Sequence, residues 1–247
     1  MLNKKVINIL FWSLLAFAAP ALAAFKFKVP DTDFGTNFSE AVTYETNSLL
    51  MKFNYKTNDL NIGPYSGTWK NRKSSSKFMM FGKRKTSTEI TLIHDTYGTW
   101  TMFCSGQVKE LEVYGFSFDR KNAIDYQCVM QSGEKMAALA VLPYKKPKFS
   151  LGEPIQNREA LITLPDGREL QAISLHRGVG NKRKYPKSVG YTIKNKDKAV
   201  GGLGRFGKKN VILVSSDVAS TADEHFVFMS GLGLWFFGHN DRKSPLD

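Results

Sequence analysis

Short alternations of apolar and polar residues run along most of the chain from Phe25 to Val214. Gly98–Phe103 alternates aromatic and polar residues, and Val189–Ile193 alternates in the same way. A period of two places successive side chains on opposite faces of a strand. Val211–Val214 is apolar throughout, which is typical of a strand buried on both faces. Because no amphipathic helices alternate with these segments, the pattern predicts a mostly β protein.

Two short polar segments predict hairpins. Ile162–Leu164 runs into Pro165-Asp166-Gly167, and a second apolar segment, Leu170–Leu175, follows. Pro fixes φ at the second position of a turn, and Gly tolerates a positive φ. Asn195–Lys198 is a polar turn between one alternating segment and the return that begins at Ala199. We expect an antiparallel pair of strands around each turn.

The C-terminal segment has a different pattern. Thr221–Glu224 has the spacing of a capping box, in which the Thr hydroxyl and the Glu carboxylate accept each other's free backbone N–H groups. Phe226–Phe237 is apolar on every side, and such a helix must be buried all round. It has about 12 residues, fewer than the roughly 20 that cross a bilayer. We predict a buried helix, with a terminal pair of strands as the alternative because Gly231 and Gly233 are unfavourable inside a helix.

The N-terminal segment has the three parts of a secretory signal peptide. Met1–Lys5 is basic, Val6–Ala18 is almost entirely apolar, and Ala21-Leu22-Ala23 is a small-x-small cleavage signal. The apolar run is too short for a membrane-spanning helix, which needs about 20 residues. We expect residues 1–23 to be removed on export. The mature chain would then have no transmembrane segment and would reside in the periplasm or outside the cell.

Cys104 and Cys128 are the only cysteines of the chain. Two cysteines in an exported protein favour a disulfide over a zinc site, which generally needs four ligands. Each lies in an alternating stretch, so two neighbouring strands with inward-facing cysteines would bring the sulfurs together. Closing this loop would stabilise the fold by roughly 3 kcal/mol on the chain-entropy model. We predict a structural disulfide.

The chain is strongly basic, with a formal net charge of +13 over 247 residues. Removal of Lys4 and Lys5 with the signal peptide lowers this charge to +11. An exported basic protein meets little nucleic acid, so the expected partners are anionic lipid, lipopolysaccharide or acidic wall polymers. The alternative is that the charge only keeps the protein soluble. The mature length allows one sizeable core, and we predict a single domain over 24–239 and a flexible polar tail over 240–247.

The basic residues form three groups that we predict to lie in loops. The groups are Arg72, Lys73, Lys83, Arg84 and Lys85, then Lys182, Arg183 and Lys184, then Arg205, Lys208 and Lys209. Near an anionic surface each Lys or Arg contributes roughly 1 kcal/mol to binding. The alternative is that solvated turns are simply rich in Lys and point in different directions.

The sequence predicts no cofactor, metal or catalytic residue. Gly202–Lys208 has the spacing of a phosphate-binding loop, but Lys209 replaces its Ser or Thr. Val211–Val214 is predicted as a strand, whereas that loop must open a helix, so a glycine-rich hairpin with a basic tip is expected. The four histidines form no His-x-x-x-His or His-Glu-x-x-His pattern, and no Gly-x-Ser-x-Gly is present. These absences do not favour an enzyme.

Many strands followed by a helix with no exposed face resemble the tubby-like superfamily, which includes the tubby C-terminal domain, the phospholipid scramblases and the LURP-one proteins. The resemblance lies in Gly190–Ile193, in Val200-Gly201, and in the apolar run after Asp223-Glu224. It covers about the last quarter of the chain and is a pattern rather than a specific motif. It implies a closed barrel around the C-terminal helix and an affinity for anionic membrane lipid. It assigns no functional residue.

Together these patterns predict an antiparallel barrel or sandwich with a buried hydrophobic C-terminal helix. The function that we expect is that of a non-enzymatic binding or accessory protein of the bacterial cell envelope, with basic loops for an anionic surface. The alternative is a periplasmic hydrolase acting on cell-envelope material, with catalytic residues assembled from distant strands. A third possibility is an interaction protein whose partner is another exported protein.

Overall fold

The structure, a computed structural model, describes residues 41–46, 57–78, 81–113, 116–119, 125–142, 157–177, 188–206 and 209–242. The predicted signal peptide lies outside these residues. The described part of the chain forms thirteen strands and one helix. Their bounds are β1 Ala41–Glu45, β2 Asn58–Ile62, β3 Tyr65–Phe78, β4 Phe81–His94, β5 Gly98–Val113, β6 Phe116–Asp119, β7 Asp125–Ser132, β8 Lys135–Val141, β9 Glu159–Thr163, β10 Glu169–Leu175, β11 Gly190–Asn195, β12 Lys198–Phe206, β13 Lys209–Ser215 and α1 Ala222–Arg242.

The strands form one antiparallel sheet that curls into a nearly closed barrel. Twelve of them follow the order β1-β13-β12-β11-β10-β9-β8-β7-β5-β4-β3-β2, and β6 pairs with β5 beside this path. Most neighbours in the barrel are also neighbours in sequence, because nearly every pair is a hairpin. The prediction of a mostly β fold is confirmed, and the barrel is the form it takes rather than a sandwich.

Both predicted hairpins are present. Thr163 pairs with Glu169 across the first turn, where Gly167 adopts a φ of +84° and donates its N–H to Leu164 O at 3.0 Å. Asn195 pairs with Lys198 across the second turn, with Lys196 at a φ of +54°. Turn chemistry that can be identified in a few residues therefore sets the register of two strand pairs.

The C-terminal segment is a helix, so the alternative of a terminal pair of strands is wrong. Its glycines lie where a strand side chain approaches the helix closely. A Cβ atom at Gly231 would lie 2.7 Å from Ile212 Cγ2, and one at Gly233 would lie 2.8 Å from Leu139 Cδ2. The reverse contact occurs at Gly201 on β12, where a Cβ atom would lie 2.1 Å from Val227 Cγ1. Close packing explains why glycines are tolerated inside this helix.

Helix α1 packs against the sheet, and strands from every part of the barrel contact it. Rings of the strands and of α1 pair as follows: Tyr44 and Tyr65 with Phe228, Trp69 with Phe236, Trp100 with Phe226, and Tyr126 and Tyr191 with Phe237. These strands are β1, β3, β5, β7 and β11, and the glycine contacts add β8, β12 and β13. The prediction of a helix buried on all sides is confirmed. It extends to Arg242, past the predicted domain boundary at 239.

The start of α1 differs from the predicted capping box. Thr221 Oγ1 donates to Val218 O at 2.6 Å instead of accepting from the helix. The carboxylate of Glu224 does accept a backbone N–H, but from Ser220, and it also accepts the hydroxyl of Tyr44. The prediction is wrong in this detail because the backbone N–H of Thr221 already donates to Val218 O at 3.1 Å, and the two carboxylate oxygens are taken by Ser220 and by Tyr44, which is 180 positions away on β1.

The predicted disulfide is confirmed at the level of distance. Cys104 on β5 and Cys128 on β7 are directly paired in register, and their Sγ atoms lie 2.03 Å apart. Both side chains are buried in the barrel core.

Within the described residues, helix α1 does not combine the length and hydropathy that a membrane span requires.

Candidate functional site

The alternating directions of the strands give the barrel two ends with different connections. At the turn end, where α1 begins, the six connections are short: residues 63–64, 95–97, 133–134, 164–168, 196–197 and 216–221. At the connection end, the described strands end on either side of seven segments that lie outside the described residues. These segments are residues 47–56, 79–80, 114–115, 120–124, 143–156, 178–187 and 207–208. The three longest segments between described strands, residues 47–56, 143–156 and 178–187, all begin and end at the connection end.

Charge is divided unequally between these two ends. In the turn-end connections, five acidic residues outnumber Arg168 and Lys196: Asp95, Glu134, Asp166, Asp197 and Asp217. The segments of the connection end contain one acidic residue, Glu153, and twelve basic ones. The basic residues are Lys52, Lys56, Arg120, Lys121, Lys145, Lys146, Lys148, Lys182, Arg183, Lys184, Lys187 and Lys208. The two sets of connecting segments thus differ in the charge of their sequences, a property that no single motif predicts.

The first basic group lies on strands, so its predicted placement in loops is wrong. Arg72 and Lys73 are on β3, and Lys83, Arg84 and Lys85 are on β4. The two strands pair without interruption to Phe78 and Phe81. A run of Ser and Lys lacks the apolar alternation that indicates a strand, and here the pairing of the backbone forms the strand instead.

The described side chains of this group point outward. Arg72 and Lys85 are both exposed. Arg72 pairs with Ser87, which is two positions from Lys85, and Lys85 pairs with Ser74, which is two positions from Arg72. Cross-strand neighbours in this diagonal arrangement lie on the same face of a sheet. They form an outward basic patch on the part of the hairpin that leads toward the connection end.

Of the other two basic groups, only Arg205 and Lys209 lie within the described residues. Arg205 on β12 pairs with Asn210, and Lys209 on β13 pairs with Phe206, so the glycine-rich segment is the predicted hairpin. Lys208 lies outside the described residues, between these strands. Lys182, Arg183 and Lys184 also lie outside them, in the segment that joins β10 to β11.

The turn end contains a cluster of polar and aromatic side chains around the start of α1. Glu224 is buried and accepts from Tyr44, while Tyr97 Oη donates to Thr221 O at 2.8 Å. Burial raises the pKa of Tyr44, and the hydrogen bond to Glu224 raises it further. Burial also raises the pKa of Tyr65, followed by its interaction with Tyr44. Both hydroxyls therefore stay protonated at physiological pH.

His225 is the unusual member of this cluster. It is 2% exposed, and neither ring nitrogen has a hydrogen-bond partner in the described residues. Its ring is surrounded by Tyr65, Tyr97 and Trp100 at centroid distances of 5.7, 5.1 and 5.2 Å. The Tyr65 hydroxyl is likewise buried without a partner. Each such group costs about 1–3 kcal/mol, so the cluster calls for an explanation beyond packing.

The protonation states of the two histidines are set by their surroundings. Burial, and to a lesser extent the nearby His94, lowers the pKa of His225 to about 4. Burial also lowers the pKa of His94, opposed by the charges of Glu224 and Asp95. His94 Nδ1 accepts the backbone N–H of Thr96 at 3.0 Å, which leaves its hydrogen on Nε2. Both imidazoles are therefore neutral at pH 7.

A pocket of about 460 Å³ opens beside His225 at the turn end. Its apolar lining includes Tyr97, Trp100, Leu164, Pro165 and Phe226, and its polar lining includes Lys135, Arg168, Asp223 and His225. The volume is in the range of small-molecule sites. The chain therefore has an aromatic pocket whose lining combines neutral, cationic and anionic groups.

Arg168 ties together two carboxylates at the pocket rim. Its Nη1 and Nη2 atoms donate to the Asp223 carboxylate at 2.8 and 2.7 Å, and its Nε atom donates to Asp166 at 2.6 Å. The hydrogen bonds from Arg168 hold the pKa of Asp166 below its usual value. One guanidinium thus bridges both acids, which leaves the three side chains with a formal net charge of −1, and it fixes the β9–β10 turn against the first turn of α1.

A second arrangement with chemical potential lies on β10. Ser174 Oγ is 2.9 Å from His176 Nε2, and both side chains are buried. Ser174 Oγ also accepts the backbone N–H of Arg158 at 2.8 Å. A serine hydroxyl within hydrogen-bond reach of an imidazole is the pairing that nucleophilic catalysis requires.

Comparison of the chain with protein-family models, with curated proteins and with solved structures returned no match. The resemblance to the tubby-like superfamily therefore stays a prediction. The cluster around His225 was not predicted, because it joins residues of β3, β5 and α1 that are far apart in sequence. The one local signal was a polar pair, Glu224-His225, at the start of an otherwise apolar helix.

Proposed function

We propose that this chain is an exported protein of the bacterial cell envelope that binds anionic lipid through the connection end of its barrel, without catalysing a reaction. The observation that carries the proposal is the composition of the segments that begin and end at the connection end, which contain twelve basic residues and one acidic residue. Each Lys or Arg near an anionic membrane contributes roughly 1 kcal/mol, and the contribution falls off within a Debye length. Because the described strands that flank these segments all end on the same side of the barrel, we propose that the segments face such a surface together.

Export is supported by two independent features. The N-terminal segment has the build of a cleavable signal peptide. Cys104 and Cys128 are placed at disulfide distance, and disulfides persist in oxidising compartments such as the periplasm. The enclosed C-terminal helix is the arrangement that the tubby-like resemblance implies, and it supports lipid as the partner over lipopolysaccharide or wall polymer.

Co-sedimentation with vesicles tests this proposal. The protein is expected to bind phosphatidylglycerol vesicles at low salt and to be released in high salt, because the attraction is electrostatic. Replacing Lys182, Arg183 and Lys184 by Gln should weaken binding by at least about tenfold, since three charges are removed. Lipopolysaccharide and teichoic acid, offered in parallel, distinguish lipid from the other anionic surfaces.

The matched control removes three charges at and next to the turn end, with Lys135, Lys194 and Lys196 replaced by Gln. This variant has the same net charge as the first, so it should bind vesicles nearly as well as the unmodified protein. Equal loss of binding in both variants would mean that binding depends on the total charge of the protein and not on the connection end in particular. Binding that is indifferent to salt, or equally strong on neutral vesicles, contradicts the electrostatic mechanism.

A hydrolase acting on cell-envelope material is the second candidate, and the 2.9 Å contact between Ser174 and His176 favours it. A fluorophosphonate probe tests it: Ser174 Oγ would form a bond to phosphorus, fluoride would leave, and His176 would take the hydroxyl proton. Labelling is expected in the unmodified protein and not in Ser174→Ala. If the folded protein is not labelled, Ser174 is a structural hydroxyl and the hydrolase is excluded at this residue.

A further inference from the structure

Strand β8 is apolar on both of its faces, although only one face lies against the core. Its inner positions are buried in the barrel: Ala137, Leu139 and Val141. Its outer positions, with the residue that follows the strand, are also apolar: Met136, Ala138, Ala140 and Leu142. A strand that is apolar throughout is typical of one that is covered on both faces. Met136 is nevertheless 54% exposed, so the described residues leave this outer face open to solvent.

The neighbouring strands extend this face into one contiguous surface. Val129 of β7 pairs with Ala138 on one side and with Phe103 of β5 on the other. Leu161 of β9 pairs with Ala140. Directly paired residues lie on the same face of an antiparallel sheet, so these side chains are cross-strand neighbours. The outer patch, as we name it, consists of Phe103, Val129, Met136, Ala138, Ala140, Leu142 and Leu161.

The centre of the outer patch carries no charge. The other outer positions around Val129 and Ala138 are polar and neutral: Thr101, Ser105, Gln127, Gln131 and Thr163. Phe103, beside them, is 53% exposed. The centres of protein–protein interfaces have this composition, because charged residues are depleted there and aromatic residues and Met are enriched. The patch therefore has the character of an interface rather than of an ordinary solvated wall.

A second copy of the chain is the partner that the charges favour. With a formal net charge of +13, two copies repel each other wherever their basic surfaces meet, whereas the outer patch offers a neutral centre. In a twofold contact the same surface faces itself, which an uncharged apolar surface permits. The exposed rim has both signs of charge, so rim residues of two copies can pair. These rim residues are Glu89, Glu159, Glu169, Lys85 and Lys135.

The size of the neutral wall is sufficient for the centre of a dimer interface. Four strands at about 4.8 Å each give a width of roughly 19 Å, and three rows of outer positions at about 6.8 Å each give a length of roughly 20 Å. The wall therefore measures roughly 400 Å², about half of the roughly 800 Å² per partner that a standard interface buries. The charged rim supplies the remaining area.

We propose that the protein forms a dimer in which the outer patches of two copies pack face to face. Phe103 and Met136 have the most exposed side chains of the patch and supply its main contacts, while Ala138 lets the two walls approach at the centre. The proposal does not depend on lipid binding, because no position of the outer patch lies in the basic segments of the connection end.

Sedimentation velocity of the purified protein over a range of concentrations tests the proposal. We expect a monomer–dimer equilibrium with a Kd of about 1–100 μM, as a modest interface gives. Ala138→Glu places an unpaired charge in the contact and should raise the Kd at least about tenfold. Phe103→Thr removes the ring, keeps a residue that favours strands, and should raise the Kd about tenfold.

Ser66→Glu is the matched control for Ala138→Glu. Ser66 is an exposed position of β3 outside the outer patch, so the same added charge should leave the Kd unaltered. Because all three positions are exposed, circular dichroism should show the same fold in every variant. A protein that stays monomeric at millimolar concentration, or a dimer that Ala138→Glu leaves intact, overturns the proposal. So does a monomer whose binding to phosphatidylcholine vesicles is lost in Ala138→Glu, because the patch would then contact lipid.

Discussion

Replacing Gly67 with Ala is expected to lower the free energy of unfolding by about 4 kcal/mol or to prevent folding, because backbone strain and overlap act together. Gly67 has a φ of +149°, a conformation that residues with a Cβ atom rarely adopt. A Cβ atom there would lie 1.9 Å from the carbonyl oxygen of Thr91 on β4. The obstacle is backbone on the neighbouring strand, so no side-chain rotation relieves it. Denaturant unfolding followed by circular dichroism measures the loss.

Gly133→Ala is the matched control for this prediction. Gly133 also has a positive φ, +57°, but a Cβ atom there meets nothing within 4 Å. Its replacement should cost only about 1 kcal/mol, the usual penalty of the left-handed conformation. Similar losses in the two variants would show that close approach of β3 and β4 at Gly67 is not what the barrel depends on.

The parts of this fold that the sequence predicts are those with local causes. Pro165 and Gly167 specify a turn within a few residues, and the alternation of Gly98–Phe103 specifies which face of a strand is buried. The paired cysteines followed from the same alternation, because Cys104 and Cys128 each share a face with apolar neighbours. The helix was predictable because an all-apolar segment of this length has few other places to go.

The parts that the sequence did not predict depend on residues far apart in the chain. Closure into a barrel depends on how β1 and β2 approach each other, and no local pattern encodes this. The same holds for Glu224, whose carboxylate is taken by Tyr44 of β1. The basic run on β3 and β4 was assigned to loops because pairing, not apolar alternation, makes it a strand. Non-local contacts therefore decided both the barrel and the candidate site.

The internal helix explains how the turn-end connections can carry many charges without weakening the barrel. Val227 packs against Gly201, and Phe236 packs against Trp69, so α1 contacts the walls along its length. The helix thereby fills the barrel interior together with the inward-facing strand residues, and of the turn-end connections Leu164 and Val218 also pack against this core. The charged residues of the turn-end connections are exposed and lie outside this core, so their charges cost little stability.

The stability of the protein is expected to fall steeply between about pH 6.5 and pH 4, and His225 is the main reason. Its pKa is about 4 in the folded protein, because burial disfavours the charged ring, against 6.5 for an ordinary His. Between these values the unfolded chain binds a proton that the folded chain does not. The contribution of His225 to the free energy of unfolding is therefore fully present above pH 6.5, and about 3 kcal/mol of it is lost as the pH falls to 4. Urea unfolding at several pH values measures this slope.

The titratable groups that face His225 determine how much of this pH dependence can be attributed to His225 itself. His94 also has a lowered pKa, so its protonation acts in the same direction, while Tyr65 and Tyr97 stay protonated throughout. The pKa of Asp166 lies below its usual value, so this carboxyl titrates below the window. His225→Phe should remove most of the slope between pH 6.5 and 4, and His94→Gln a smaller part. A slope unchanged in His225→Phe would contradict the burial of a neutral imidazole at the start of α1, and with it the physical basis of the turn-end cluster.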